Sequence, residues 1–302
     1  MINLRHLFGC LTAGSLVLAA GCVVPGPTSP QRPQLVRLLE QEMLANKEWV
    51  RVHAAEALLD HGQSQVVAQS FIPEADTAPP PYRIGVWRVL ARAAQTEADR
   101  RDFCDRIRRT MINPQSPDRL SAAESLGKLG FANPADRSVL DQWLLTTDDA
   151  TKPFVLWLLA FSSDGSQRAE DERRLANLLE SSDPVARLRA AFALGRLPTI
   201  SANSAQALAR RLAMEPADSP ARLYLLVAVL LHADKGSSAE LNLKRQLTSY
   251  LDNGKPNEQL EAALALGRRG TQNDVPALAK LLRSAEPDAR IGAANGLLCL
   301  LP

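Results

Sequence analysis

Apolar side chains recur at helical spacing along this chain, and one short pattern returns at regular intervals. In residues 187–195 the order is Arg, Leu, Arg, Ala, Ala, Phe, Ala, Leu, Gly, and seven further segments follow it to different degrees. The eight copies begin at Arg51, Arg83, Arg119, Lys152, Arg187, Arg222, Gln259 and Arg290. Their average spacing is about 34 residues, which is typical of repeats built from two helices.

Each copy predicts a helix with one buried face. The second and eighth positions, Leu188 and Leu194 in the fifth copy, are mostly apolar, and the fourth and fifth are rich in alanine. A proline such as Pro184 suits the first turn, and a second amphipathic segment follows several copies, as in residues 275–282. We therefore predict an all-α chain, an α-solenoid of about eight helix pairs over residues 34–302.

Composition supports helix over sheet. Hydrophobic residues make up 46% of the 302 residues, but aromatic residues only 5%. The abundant leucine and alanine are strong helix formers and are not β-branched. The chain can therefore bury a large helical core.

The first 21 residues are predicted to be an export signal. Arg5 gives a positive start, residues 7–20 form an apolar run, and small residues precede Cys22. Residues 18–22 resemble the bacterial lipobox, which implies that Cys22 becomes lipidated and anchors the protein in the cell envelope. A signal peptide without lipidation is the alternative. Val23, rather than aspartate, follows the cysteine, and in enteric lipoproteins this favours the outer membrane.

Residues 22–33 are predicted to be a tether between the lipid and the folded domain. Four prolines fall in residues 23–33, together with glycine and serine. Such a segment does not sustain a helix, because proline lacks the amide hydrogen and fixes its own backbone angle. It sets reach and carries no chemistry.

The fifth copy carries a family resemblance. Residues 183–195 read Asp-Pro-Val-Ala-Arg-Leu-Arg-Ala-Ala-Phe-Ala-Leu-Gly, which is similar to the D-P-x-x-R-x-x-A-A-x-A-L-G signature of HEAT and HEAT-like repeats, including the short bacterial type named after phycobilisome lyases. The resemblance implies a scaffold that binds proteins, and for a minority of the family a lyase. Pro153 and Trp87 depart from the pattern, so their repeats should pack irregularly.

The first position of the copies is basic in seven of eight cases, with acidic residues such as Asp118 and Asp183 just ahead. These basic residues are Arg51, Arg83, Arg119, Lys152, Arg187, Arg222 and Arg290. One interpretation is a basic face that grips an anionic partner; the other, which the family resemblance implies, is a structural ladder between adjacent repeats. Without residues 1–21 the chain has 34 basic and 33 acidic residues, so nucleic acid is not an expected partner.

No catalytic or metal motif stands out, so we expect no enzyme activity, metal or cofactor. His53 and His61 share one predicted helix but lack further ligands at metal-binding spacing. Cys104 and Cys299 lie too far apart in the repeat order for a disulfide, and both are expected to be buried thiols. The four tryptophans are expected to be core residues rather than ligand stackers.

The last copy ends in a run of leucines with no second helix after it. Leu298 and Leu301 then either fold inward or leave an apolar edge that binds a second copy or a partner protein, because exposed apolar patches mark interaction sites. Both alternatives stay open, and the binding edge is the hypothesis that an experiment can test.

The sequence therefore predicts a membrane-tethered, protein-binding scaffold of the cell envelope that binds through its concave face. The alternative is an enzyme or enzyme subunit of the HEAT-like lyase kind. A deep pocket lined by polar groups from several repeats would favour the lyase, and a shallow groove the scaffold. The partner's identity does not follow from the sequence.

Overall fold

The computed structural model describes residues 31–301, and in that range the chain consists of helices joined by short connections. The predicted signal peptide, the lipidation site Cys22 and nearly all of the predicted tether lie outside the described residues. The tether was predicted to run to residue 33, but the first helix already begins at Arg32, with Pro33 in its first turn. Proline is tolerated there because the amide hydrogen it lacks would have no partner inside the helix.

The described residues form eight helix pairs, each an outer helix followed by an inner one. The outer helices are α1 (Arg32–Ala45), α3 (Ser64–Phe71), α5 (Glu97–Ile112), α7 (Arg137–Thr146), α9 (Gly165–Asn177), α11 (Ala202–Met214), α13 (Ser238–Asn253) and α15 (Val275–Leu281). The inner helices are α2 (Glu48–Asp60), α4 (Tyr82–Ala93), α6 (Arg119–Leu129), α8 (Lys152–Ser162), α10 (Pro184–Leu194), α12 (Ala221–His232), α14 (Pro256–Arg269) and α16 (Pro287–Leu300). The prediction of an all-α solenoid is confirmed.

The solenoid closes on itself. Each inner helix packs against the next inner helix along the chain, and α16 packs against both α1 and α2. One hydrophobic cluster accordingly joins residues from both ends of the chain, such as Leu39 and Phe71 with Leu266 and Leu297. A second cluster fills the middle repeats. The inner helices therefore form a ring, and the outer helices surround it.

The helices α14 and α16 approach each other more closely than side chains would normally allow. A β-carbon at Gly292 would lie 2.8 Å from the α-carbon of Leu260, and one at Gly267 would lie 2.7 Å from the α-carbon of Gly296. Glycine is required at such backbone contacts. These glycines allow α16 to pack directly on the backbone of α14.

Ring closure changes the expectation for the C-terminal edge. The repeats begin with the outer helix, so α16 completes the eighth pair and has no missing partner after it. Leu298 is 2% exposed and belongs to the core, and Leu301 packs partly buried against it. Of the two alternatives for Leu298 and Leu301, the inward-folding one fits the structure, and the hypothesised exposed edge is covered by α1 and α2 of the same chain.

Candidate functional site

The basic residues at the first position of the copies bind within the chain. Several of them reach from an inner helix to the next pair along the chain, either to its outer segment or, for Arg83, to Asp118 at the start of its inner helix. Contacts of this kind join Arg51 to Glu74, Arg83 to Asp118, Arg187 to Glu215 and Arg222 to Gln246. Arg119 instead stacks on the ring of Trp143 in α7, with its guanidinium carbon 3.7 Å from the ring centroid. Lys152 departs from the pattern and pairs with Asp149 in its own loop.

The closing junction uses the same contact. Arg290 of α16 donates from Nε to Oε1 of Glu42 in α1 at 2.6 Å. It also donates to the carbonyl oxygens of Ser284 and Ala285, each at 2.8 Å. Arg290 therefore contacts α1 in the way that Arg187 contacts the end of α11. The two ends of the described chain pack against each other as neighbouring repeats do.

Further polar contacts reinforce this junction. The Nδ1 atom of His53 lies 2.9 Å from Oδ1 of Asp288, and Nε2 of His61 lies 2.8 Å from Oδ1 of Asn295. Asn295 also donates to the carboxylate of Asp60 at 3.1 Å. The two histidines singled out in the sequence therefore join α2 to α16, and no group of three or more potential metal ligands occurs among residues 31–301.

The ring surrounds a central cavity of about 730 Å³, with walls from seven inner helices of the described chain and from the connection that follows α10. Two levels of side chains face it, at the tenth and the sixth position of the copies. We call the upper level the mouth tier; it consists of Asp60, Arg92, Lys128, Phe161, Arg196, Leu231 and Arg268. The lower level is the inner tier; it consists of Glu56, Trp157, Leu264 and Asn295.

The cavity opens where the inner helices end. Its lining reaches the connections after those helices, such as Gly130 and Pro198. Asp60, Lys128 and Arg268 of the mouth tier are exposed, whereas Trp157 and Asn295 below are buried. The ladder residues start the inner helices and therefore lie at the opposite rim, away from this opening.

Charged residues of the cavity are paired across neighbouring helices. Glu56 accepts from Nε of Arg88 at 2.8 Å, and Asp60 from Arg92 at 2.6 Å. Arg196, in the connection after α10, donates to Glu261 of α14 at 3.2 Å, so this pair bypasses the intervening helix α12. Lys128 pairs with Glu124 one turn earlier at 2.8 Å. The wall is thus held by alternating charges, not by one sign.

The partly buried carboxylates of Glu56, on the cavity wall, and of Glu124, which pairs with Lys128, stay ionised. Burial alone would raise the pKa of Glu56, but the charges of Arg88, Lys128 and Arg92 hold that pKa well below its ordinary value. Burial opposes ionisation of Glu124 in the same way, and Lys128 and Arg88 lower its pKa. Both groups therefore act as fixed negative charges at neutral pH and not as proton donors.

Aromatic residues form the opposite part of the wall. The ring of Trp157 is 1% exposed and lies 6.0 Å from that of Phe161 and 5.9 Å from that of Phe192, measured between centroids. A β-carbon at Gly127 would lie 2.4 Å from Trp157 Cε3, so the indole needs glycine there. The guanidinium carbon of Arg196 lies 3.5 Å from the Phe192 centroid and closes the cavity on that side.

The cysteines and tryptophans only partly match expectation. Cys104 is buried as predicted, but Cys299 is exposed near the cavity opening, because the last turn of α16 lies at the rim. Its sulfur nevertheless lies partly buried against Asn295, and this burial together with the charge of Asp60 raises the pKa of the thiol, so the thiol is protonated at neutral pH. Trp157 is a core residue and also lines the cavity.

The cavity residues do not follow the repeated pattern of the sequence. They occupy the sixth and tenth positions of the copies, which vary, whereas the apolar positions repeat. That variation was the available signal: charged and aromatic residues share two columns that lie on one face of each helix.

No family model and no curated protein matches the chain. Among solved structures it is similar to the crystal structure of an engineered protein from the Northeast Structural Genomics Consortium. The identity is 16% over 88% of this chain and 78% of that one, with a TM-score of 0.36. This likeness indicates nothing about function.

Proposed function

We propose that this protein is a membrane-tethered binding scaffold of the cell envelope, built from HEAT-type repeats, which holds a segment of a partner protein in its central cavity. The observation that carries the proposal is the cavity itself. Its volume lies in the range of about 300–1,000 Å³ that is usual for ligand sites, and every helix pair of the described chain, or the connection after it, contributes to its wall.

Ring closure decides what such a scaffold accommodates. The concave face, where we expected a partner to bind, is the wall of the cavity. A folded domain does not fit in about 730 Å³, whereas a side chain, a chain end or a short extended segment does. The proposed partner therefore inserts part of its chain through the opening.

The HEAT-type assignment is supported by local geometry in the fifth copy. Asp183 accepts a hydrogen bond from the backbone amide of Val185 at 2.8 Å and so caps α10, and Pro184 occupies the first turn. Arg187 then bonds to the next pair through Glu215. The signature residues thus begin the helix and join it to its neighbour.

The tether is the second part of the proposal. Among the described residues no helix is long and apolar enough to cross a bilayer. Replacing Cys22 by serine should move the protein from the membrane fraction to the soluble fraction if the cysteine is the lipid anchor. A Cys22→Ser variant that stays with the membrane would contradict lipidation, and Cys104→Ser is the control.

Site-specific crosslinking tests the cavity. A photoreactive phenylalanine analogue at Phe161 or Leu231 of the mouth tier should trap the partner in living cells. The same analogue at Leu145 or Leu241, which are exposed on outer helices, is the matched control. Adducts that form from the outer positions and not from the mouth tier would show that the partner binds outside the ring.

An enzyme or enzyme subunit of the HEAT-like lyase kind is the second candidate, and one observation favours it. The cavity is lined by polar groups from several repeats, as we expect for a lyase. Ion pairing of Glu56 and Glu124 favours binding over acid–base chemistry. The trapped partner distinguishes the two: a lyase leaves a covalent mass addition on the partner that is lost when the protein is deleted, and a scaffold leaves none.

A further inference from the structure

Arg268 differs from the other charges of the cavity wall. Each wall carboxylate has a cationic neighbour, and the closest pairs are Glu56 with Arg88, Asp60 with Arg92 and Glu261 with Arg196. Lys128 is neutralised by Glu124. Within residues 31–301, Arg268 forms neither an ion pair nor a hydrogen bond, and its side chain is exposed at the opening. The cavity thus has one positive charge in excess, at a known place.

Apolar side chains continue below this charge. Leu264 lies one turn deeper on α14, Leu260 lies one turn deeper again, and Ile291 of α16 lies beside them. Trp157 lines the same cavity from α8. A group that enters past Arg268 therefore meets apolar side chains of α14 and α16, beside the neutralised pair of Glu261 and Arg196.

The helix dipoles do not cancel the attraction of Arg268 for an anionic group. The inner helices end at the opening, which places partial negative charge there. The outer helices run the opposite way and begin at the same rim, so their partial positive charges offset it. Arg268 is therefore the charge that a ligand at this rim experiences without a paired counter-ion.

We propose that the cavity binds the carboxyl-terminal end of a partner chain, with the terminal carboxylate on Arg268 and an apolar last side chain against Leu264 and Leu260. This rests on the proposed function, which supplies a partner protein at the cavity. A single carboxylate on an apolar body matches one spare guanidinium above an apolar wall. Guanidinium and carboxylate form paired, charge-assisted hydrogen bonds.

The chemistry is tested first with two fluorescent probes on the full chain. The probe 8-anilinonaphthalene-1-sulfonate has an aromatic body and one anionic group, and N-phenyl-1-naphthylamine has a closely similar body and no charge. Arg268→Gln should weaken binding of the anionic probe about tenfold and leave the neutral probe unchanged. Leu264→Ser should weaken both. Arg245→Gln, on the exposed side of α13, is the control and should change neither.

Competition then tests the source of the anion. An acetylated tetrapeptide that ends in two leucines should displace the anionic probe when its carboxylate is free and not when it is amidated. Displacement by decanoate but not by the free peptide would overturn the assignment to a chain end in favour of a lipid. Equal loss of both probes in Arg268→Gln, or no loss, would overturn the anion site, while crosslinking from the mouth tier would still support the proposed function.

Discussion

Two junctions of the ring contain the same arginine–glutamate contact, although only one of them is bridged by a loop of the chain. Between α10 and α11 the chain is continuous, and Arg187 donates to Glu215 at 2.7 Å. Between α16 and α1 no loop exists, and Arg290 donates to Glu42 at 2.6 Å. In both places an arginine in the first turns of an inner helix reaches an acid near the end of the next outer helix.

The surroundings of the two acids differ. Glu215 is 3% exposed and also accepts from Arg211 and Ser219. Glu42 is 6% exposed and accepts from Asn46 at 2.9 Å. The open junction gains instead from contacts spread along α2 and α16, including those of His53 and His61. At the junction between α10 and α11, which a loop connects, most of the polar contacts are made to Glu215. At the junction between α16 and α1, which no loop connects, several separate residues make the polar contacts.

The largest expected effect is at the covalent junction. Glu215→Ala would leave Arg187, which is 8% exposed, without its carboxylate, and breaking a buried ion pair costs about 3–5 kcal/mol. Chemical denaturation of the variant and the parent measures this loss. A change below about 1 kcal/mol would mean that the acid is not what holds this junction.

The same acid sets a pH dependence. Burial would raise the pKa of Glu215, but hydrogen bonds from Arg187, Ser219 and Arg211 lower it to about 2. A lowered folded-state pKa means that the stabilisation is complete above the ordinary value of 4.5 and is lost as pH falls toward 2. The parent should lose stability over that window more steeply than Glu215→Gln.

Close packing near the same junction gives the next effect. Ala191 of α10 is fully buried in a position that is alanine in most copies. Ala191→Leu should overpack and cost about 1–3 kcal/mol. Ala209→Leu on the exposed face of α11 is the control and should stay within about 0.5 kcal/mol of the parent. Equal melting temperatures for the two variants would refute the register of the copies.

The sequence allowed the inner helices to be predicted, because their apolar columns repeat locally. It did not show that the repeats begin with the outer helix, although Leu35, Leu39 and Met43, now buried in α1, already formed an apolar stripe before the first copy. Ring closure depends on a small rotation summed over eight pairs. No local pattern encodes that sum, so the cavity could not be predicted, and the sequence could not decide between burial and exposure of Leu298.

A substitution at the junction between α16 and α1 should lower the free energy of unfolding less than Glu215→Ala does, and should increase local opening more. Glu42→Gln should cost about 1–2 kcal/mol, because Arg290 keeps two carbonyl acceptors and is about a quarter exposed. Hydrogen exchange should become faster in α1 and stay unchanged in α11. Uniformly faster exchange in both helices would indicate that the ring unfolds as one unit and that the junction is not its weak point.

The smallest effect belongs to the first turn of the described chain. Arg32 donates from Nη1 to the carbonyl oxygen of Leu298 at 3.1 Å and so holds the start of α1 on the last turn of α16. Arg32→Gln should cost no more than about 1 kcal/mol, because the arginine is exposed and one hydrogen bond is lost. Exchange should become faster only in the first turn of α1. Arg37→Gln, exposed on the same helix, is the matched control, and equal exchange in both variants would show that the bond to Leu298 does not hold the chain ends together.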